Sequence, residues 1–197
     1  TPLIYYKLLE KFIIYMPDID ANVLTVELDN PFGYGRIIIY QAEKETISRI
    51  VEYTVANDTQ NNIKDCNTGI VFSNVGVLKN LISEVENNNS KKEFYLTDIV
   101  SIGNKKGLVV APLLVKDSDS LLGVNDKCQL ERTEQIYQKN NRQKFLKQGV
   151  TMLDSNSIFF KGDVEIGMDV EIDSNVIFEG QVKIGDNVKI RSNTIIK

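Results

Sequence analysis

Histidine is missing from this 197-residue chain. That excludes chemistry relying on an imidazole base, the side chain whose ordinary charge change falls near neutrality. Cysteine is scarce. Cys66 and Cys128 lie far apart and match no metal or disulfide spacing, and a reduced, cytoplasmic setting suits them. No apolar run approaches the roughly 20 residues that a membrane span needs, and no signal-peptide pattern is present. Excess basic charge is lacking too. The net charge of -4 argues against a nucleic-acid binder, which carries a basic face. It leaves room for a phosphorylated small substrate, which a few local donors can hold. The chain also begins without methionine. Thr1-Pro2 reads as an N-cap followed by proline at the first helical position. The expectation is a fragment whose upstream part is missing.

What is present points to a folded chain. At 42% hydrophobic and 25% charged residues, the composition is that of a globular protein and not a disordered one. The length suits one domain, or one domain with an appendage.

Hydrophobic spacing organises the first part. Residues 2–15 predict an amphipathic helix, with Tyr5, Leu8, Leu9, Phe12 and Ile13 on one stripe, ended by Met16-Pro17-Asp18. Val23 to Leu28 alternates like a strand, and Asp29 to Gly35 is a turn-rich loop. Arg36 to Tyr40 and Thr46 to Glu52 predict two strands joined by the polar hairpin Gln41 to Glu45. Ile70 to Phe72 reads as a short strand entered through Asn67-Thr68-Gly69. Val77 to Val85 predicts a helix. Thr97 or Asp98 is placed to cap another, running to about Ile102, and Leu108 to Val115 is a strand interrupted by Pro112. Strands alternating with helices imply an α/β domain with a mostly parallel sheet.

The second part changes character twice. Asp126 to Gln148 is polar, with a narrow apolar stripe of Leu130, Thr133 and Tyr137, the pattern of a domain-bridging helix, and Gly149 suits its end. Then Ile166, Ile172, Phe178, Ile184, Ile190 and Ile196 recur every six residues. Val170, Val176, Val182, Val188 and Thr194 recur on the same period, and Gly with Asp or Asn fills the turns. Neither helices nor ordinary strands repeat at six. A hexapeptide β-helix does, because each triangular coil takes three hexapeptides with an apolar residue pointing inward from each.

Several motifs occur in order along the chain: Gly33-Tyr34-Gly35-Arg36-Ile37, Ile50-Val51-Glu52, Asn67-Thr68-Gly69-Ile70, Phe94-Tyr95-Leu96-Thr97-Asp98 and Gly123-Val124-Asn125-Asp126. Together with the polar helix and the hexapeptide repeat, they resemble the bifunctional N-acetylglucosamine-1-phosphate uridyltransferase/glucosamine-1-phosphate acetyltransferase family over the whole chain. The resemblance implies an incomplete α/β, Rossmann-like nucleotidyltransferase domain over 1–125. A linker helix over 126–149 and the first coils of a left-handed β-helix over 150–197 would follow. It implies a cytoplasmic parent enzyme that joins UTP and N-acetylglucosamine-1-phosphate into UDP-N-acetylglucosamine with magnesium, acetylates glucosamine-1-phosphate from acetyl-CoA, and assembles as a homotrimer. The family's UTP-phosphate loop and its magnesium-binding Asp would precede Thr1. Its acetyltransferase histidine would follow Lys197. The isolated chain is therefore expected to be inactive.

Four residues carry the site expectations. The resemblance makes Gly35 the glycine whose backbone meets the sugar phosphate; a plain turn is the alternative. It makes Glu52 an acceptor for sugar hydroxyls, against an exposed strand-end charge. Asn67 offers a donor and an acceptor to an acetamido or hydroxyl group, or is a turn asparagine. Asn125 offers magnesium a hard oxygen, or caps the helix that follows. Arg36 adjoins the sugar loop without an assigned role. Two other readings stay open: a non-catalytic trimerising fragment, and a sugar nucleotidyltransferase relative without acetyltransferase activity.

Overall fold

A computed structural model gives the fold and describes residues 2–4, 6, 8–10, 19–40, 46–89 and 91–197. The chain divides into two units, Thr1–Val124 and Asn125–Lys197. Of the predicted first helix, Tyr6 and Leu8 to Glu10 are helical and Leu8 is buried. Its Thr1 cap, Tyr5, Phe12, Ile13 and the stop at residues 16–18 lie outside the described residues, as does the hairpin turn 41–45.

The first unit is built on a five-stranded sheet. Its strands are β1 (Ala21–Glu27), β2 (Arg36–Tyr40), β3 (Thr46–Val51), β4 (Asp65–Ser73) and β5 (Val110–Val115), in the order β3-β2-β4-β1-β5. β1 is buried on both faces. Ala21 and Val23 pack with Ile37, Ile47, Leu81, Ile99 and Val100. Leu24 and Val26 pack with Leu8, Cys66, Val115 and Leu121. This two-sided burial is why its sequence reads as a nearly continuous apolar run.

The expected mostly parallel sheet is corrected to a mixed one. β1 and β5 are parallel, while β1–β4, β2–β4 and β2–β3 are antiparallel. Parallel neighbours need a long crossover, whereas β2 and β3 are joined by a short hairpin connection. The helices α2 (Val75–Ile82) and α3 (Asp98–Lys105) both fall in the single connection from β4 to β5, and the one-turn α1 (Asp58–Asn61) lies between β3 and β4. Strands and helices therefore do not alternate one for one.

Pro112 does not interrupt β5, because β5 is an edge strand. Ala21 N–H donates to Val109 O at 3.2 Å. In a parallel ladder this turns the main-chain groups of the odd-numbered β5 residues toward β1 and those of Pro112 away.

Residues Asn67 to Gly69 are corrected from a strand entrance to the middle of the nine-residue β4. The pairing jumps from Val23↔Val71 to Thr25↔Asn67, so Thr68, Gly69 and Ile70 bulge opposite Leu24. Gly69 takes φ +78°, which glycine adopts without steric penalty. Thr68 Oγ1 donates to Leu24 O at 2.9 Å and accepts from Ile70 N–H at 3.3 Å.

In the second unit, α4 (Lys127–Lys147) starts at Asp126, whose carboxylate accepts from Gln129 N–H at 2.7 Å. It ends before Gly149, at φ +93°. Eight short strands follow: β6 (Thr151–Met152), β7 (Phe159–Lys161), β8 (Val164–Ile166), β9 (Glu171–Ile172), β10 (Ile177–Glu179), β11 (Val182–Ile184), β12 (Lys189–Ile190) and β13 (Ile195–Ile196). They form three parallel sheets, β7-β10-β13, β8-β11 and β6-β9-β12, in which Phe159 pairs Ile177 and Ile177 pairs Ile195. Each coil is thus three hexapeptides, and the inward Val170, Ile172, Val176, Phe178 and Ile190 are buried as the period predicts. Asp169, Asn175, Asn187 and Asn193 hold positive φ at the corners, where short polar side chains tolerate the left-handed conformation. At Gly162 a Cβ would lie 2.2 Å from Gly180 O of the next coil.

The stripe of α4 differs in part from its expectation. Thr133 is buried, but Leu130 is 45% exposed, and Gln138 and Phe145 do the inward packing. Gln138 is 1% exposed. Its Nε2 donates to Phe160 O at 2.8 Å and its Oε1 accepts from Phe160 N–H at 2.9 Å. Phe145, Phe160 and Phe178 stand in a column with centroid spacings of 5.0 and 5.2 Å. The helix thereby packs on the first coil and pairs both main-chain groups of Phe160. Gln138→Leu should lower the unfolding free energy by about 1–3 kcal/mol for each Phe160 group left unpaired. Denaturant titration of the full chain checks this. A change under about 0.5 kcal/mol, typical of surface substitutions, would mean that water replaces the amide.

Candidate functional site

The bulge in β4, the end of β3 and the start of α3 meet around a cavity of about 180 Å³. Its wall is mostly apolar: Ile50, Val71, Leu96, Ile99 and Val100. Its polar groups are Glu52, Asn67 and Thr97. A wider cleft of about 730 Å³ shares Ile50, Glu52 and Thr97 and adds Arg49, Tyr95, Asp98 and Lys105. Burial raises the Asp98 carboxyl above the ordinary aspartate range.

Glu52 follows β3 and is half-buried, not an exposed strand-end charge. Its Oε1 accepts from Thr97 Oγ1 at 2.8 Å. Thr97 occupies the N-cap position of α3 but makes no side-chain cap there. Its hydroxyl instead reaches across 45 residues of sequence to the carboxylate. The sequence marked Thr97 as a capping candidate, and no local signal distinguishes that use from this one.

Asn67 sits at the edge of the bulge. Its Oδ1 accepts from Gly69 N–H at 3.0 Å, which directs its Nδ2 donor elsewhere. The cavity thus joins a carboxylate acceptor, an amide donor and a hydroxyl inside an apolar wall. Such a combination has the chemistry to accept a small polyhydroxylated molecule with an apolar side, since a few placed polar groups orient a ligand that apolar contacts bury.

Gly35 does not line the cavity, but it abuts two residues that do. A Cβ there would lie 3.1 Å from Ile50 Cγ2 and 3.6 Å from Asn67 Cβ, and its carbonyl accepts from Asn67 N–H at 2.9 Å. Close approach is what the position demands; the positive φ of this turn belongs to Gly33, at +81°. The turn is tied further along the chain by Tyr34, whose hydroxyl accepts from Gly123 N–H at 2.9 Å.

The structure therefore brings Gly35, Glu52 and Asn67 together. Asn125 is the first residue of the other unit. The helix cap falls to its neighbour Asp126. Asn125 N–H donates to Gln129 Oε1 at 2.6 Å, and its exposed side chain makes no hydrogen bond among the described residues. Among those residues, no group of three or more Cys, Asp or Glu is arranged to hold a metal. No helix among them is long and apolar enough to cross a membrane.

Residues 163–197 match the family described as bacterial transferase hexapeptide (six repeats). This segment lies within the paired coils, which begin at Thr151. Among solved structures, the chain is similar to UDP-glucose phosphorylase from Trypanosoma brucei at 13% identity and a TM-score of 0.38. That alignment covers 98% of this chain and 53% of the other, so the chain spans about half of that protein's length.

The two cysteines should differ sharply in reactivity. Cys66 is fully buried in the core, and desolvation pushes its thiol up to about 11, so little thiolate exists near neutrality. Cys128 is exposed. Iodoacetamide at pH 8 should add one adduct to the folded chain, at Cys128, and a second only after denaturation. Intact mass with peptide mapping checks this. Rapid double labelling of the native chain would contradict the burial.

Proposed function

We infer that the chain belongs to a magnesium-dependent uridyltransferase joining UTP and N-acetylglucosamine-1-phosphate, with release of pyrophosphate. The cavity of Glu52, Asn67 and Thr97 carries this reading. It supplies acceptor, donor and hydroxyl to a sugar ring, while its apolar wall suits an acetamido methyl. At about 180 Å³ it takes a single ring, and the adjoining cleft leaves room for the groups attached to it. A β-helix of the transferase hexapeptide type in the same chain supports the reading. It is also the segment from which a parent enzyme would supply acetyl transfer from acetyl-CoA.

The chemistry asks little of the protein as acid or base. A phosphate oxygen of the sugar phosphate, already ionised, attacks the α-phosphorus of UTP. The bond from that phosphorus to the bridging oxygen breaks, and pyrophosphate leaves. No proton has to be removed, in keeping with a chain that lacks histidine. The protein's work is positioning: Glu52 and Asn67 orient the sugar, and the Gly35 turn allows close backbone approach. Magnesium, when bound, neutralises charge on the phosphates. The carboxamide of Asn125, which the resemblance offers as a ligand, would supply such an ion one hard oxygen.

One observation favours assembly of copies as a second role. The outward positions on one side of the β-helix are Phe159, Ile177 and Ile195, of which Phe159 is 39% and Ile195 59% exposed. The other two sides carry the coil-to-coil ion pairs Lys183–Glu165 at 3.1 Å and Lys189–Glu171 at 3.0 Å. The side with the apolar row carries one such pair as well, Lys197–Glu179 at 3.1 Å, and its outward apolar residues suit a trimer of this chain.

Titration calorimetry of the chain with N-acetylglucosamine-1-phosphate tests the site. Glu52→Ala and Asn67→Ala should each weaken binding by on the order of 1–3 kcal/mol, and absence of binding by the parent chain would sink the reading. In a parent enzyme, Asn125→Ala should weaken magnesium-dependent uridyl transfer and spare acetyl transfer; unchanged magnesium dependence would remove Asn125 from the site. Light scattering on size exclusion tests assembly, with Ile177→Asp expected to shift a trimer to monomer. A parent chain that is already monomeric would refute it.

A further inference from the structure

Arg36, at the start of β2, is 1% exposed and among the largest fully buried side chains. Among the described residues it makes no ion pair with a carboxylate. Its Nη1 donates to Tyr34 O, and its Nη2 donates to Asn61 O at 3.5 Å. The guanidinium lies 5.6 Å over the Tyr53 ring, which also packs against Phe32 at 4.8 Å. These contacts join two segments. One is the turn Pro31 to Gly35, which ends on Gly35. The other runs from Tyr53, directly after Glu52, to Asn61.

We propose that Arg36 is a positioning residue for the sugar-phosphate subsite, its planar fork clamping the Gly35 turn to the segment that begins at Glu52. The proposal rests on the functional reading above. A buried cation with no carboxylate paired to it among the described residues is a costly way to stabilise a fold. Its Nε, and Oδ1 of the neighbouring Asn61, are buried without a hydrogen-bond partner, whereas a cation kept for stability alone has its donors paired. What the guanidinium supplies is geometry. Its rigid fork meets carbonyls on two segments while its face covers a ring, and a lysine ammonium, a point charge on a flexible stem, cannot do the same. Arg36 itself is too buried to touch the ligand, so it acts through Gly35 and Glu52.

Arg36→Lys keeps the charge without the fork, and Arg36→Met keeps the bulk without either. The test is titration calorimetry of N-acetylglucosamine-1-phosphate on the full chain, with hydrogen exchange read at the amides of Tyr34 and Ala56. Both variants should lose at least tenfold in affinity, and both amides should exchange at least tenfold faster while that of Val23 is unchanged. Tyr53→Leu, which removes the ring under the guanidinium, should fall between the parent and Arg36→Lys, and it carries the test if the arginine variants do not fold. Arg36→Lys binding within twofold of the parent overturns the proposal, because charge and not the fork would then suffice. Unchanged exchange at Tyr34 and Ala56 overturns it as well. A parent chain that binds no sugar phosphate while Arg36→Lys still loosens both amides marks a different failure: the clamp exists, but the functional reading and the role assigned to Arg36 are wrong.

Discussion

Thr68 Oγ1 holds the bulge in the fourth strand by donating to Leu24 O and accepting from Ile70 N–H. The site depends on this arrangement. A bulge takes main-chain groups out of the ladder, and buried main-chain groups need partners. The threonine hydroxyl serves one on each side, which lets the strand kink without leaving orphans. The β2–β4 ladder sets Asn67 beside Gly35, and the bulge begins directly after it, at the wall of the cavity. Gln138 answers the same constraint in the second unit, where its amide stands in for the strand that would otherwise pair with Phe160. At these two places where a regular ladder stops, a polar side chain of the right reach continues it.

The site is therefore assembled from irregularities, each with a specific partner. Glu52 follows a strand end, Asn67 edges a bulge, and Thr97 stands at a helix start that it does not cap. Regular strands would point these side chains to alternate faces. The apolar residues between them, Ile50, Val71, Ile99 and Val100, belong to the core on one face of the sheet. The cavity wall is thus an extension of the packing that holds the helices to the sheet.

Legibility in the sequence followed the range of the interactions. The hexapeptide coils were plain because one inward residue per six is a local rule repeated many times. The long polar helix was plain in its extent and in its Gly149 stop, while its cap is Asp126 and not the neighbouring Asn125 that the sequence offered. Strand directions were not, because they depend on which strands become neighbours, and β4 inserts between two earlier strands that point the same way. Asn67-Thr68-Gly69 was legible as a turn but not as a turn inside a strand, since Leu24, its partner, lies 44 residues from Thr68. Gly35 and Glu52 emerged from motif order. Thr97 was seen as a cap and Arg36 was left without a role, because what each of them holds becomes adjacent only in the folded chain.

Pro112 has a consequence beyond its tolerance at the edge. An exposed strand edge is a template on which another chain can add, and natural sheets blunt such edges. With its nitrogen turned away from β1, Pro112 deletes one donor from the side of β5 that no strand pairs among the described residues. Leu114, 52% exposed on the same strand, would otherwise make this edge adhesive. Pro112 thus makes that side of β5 a poorer template for strand addition.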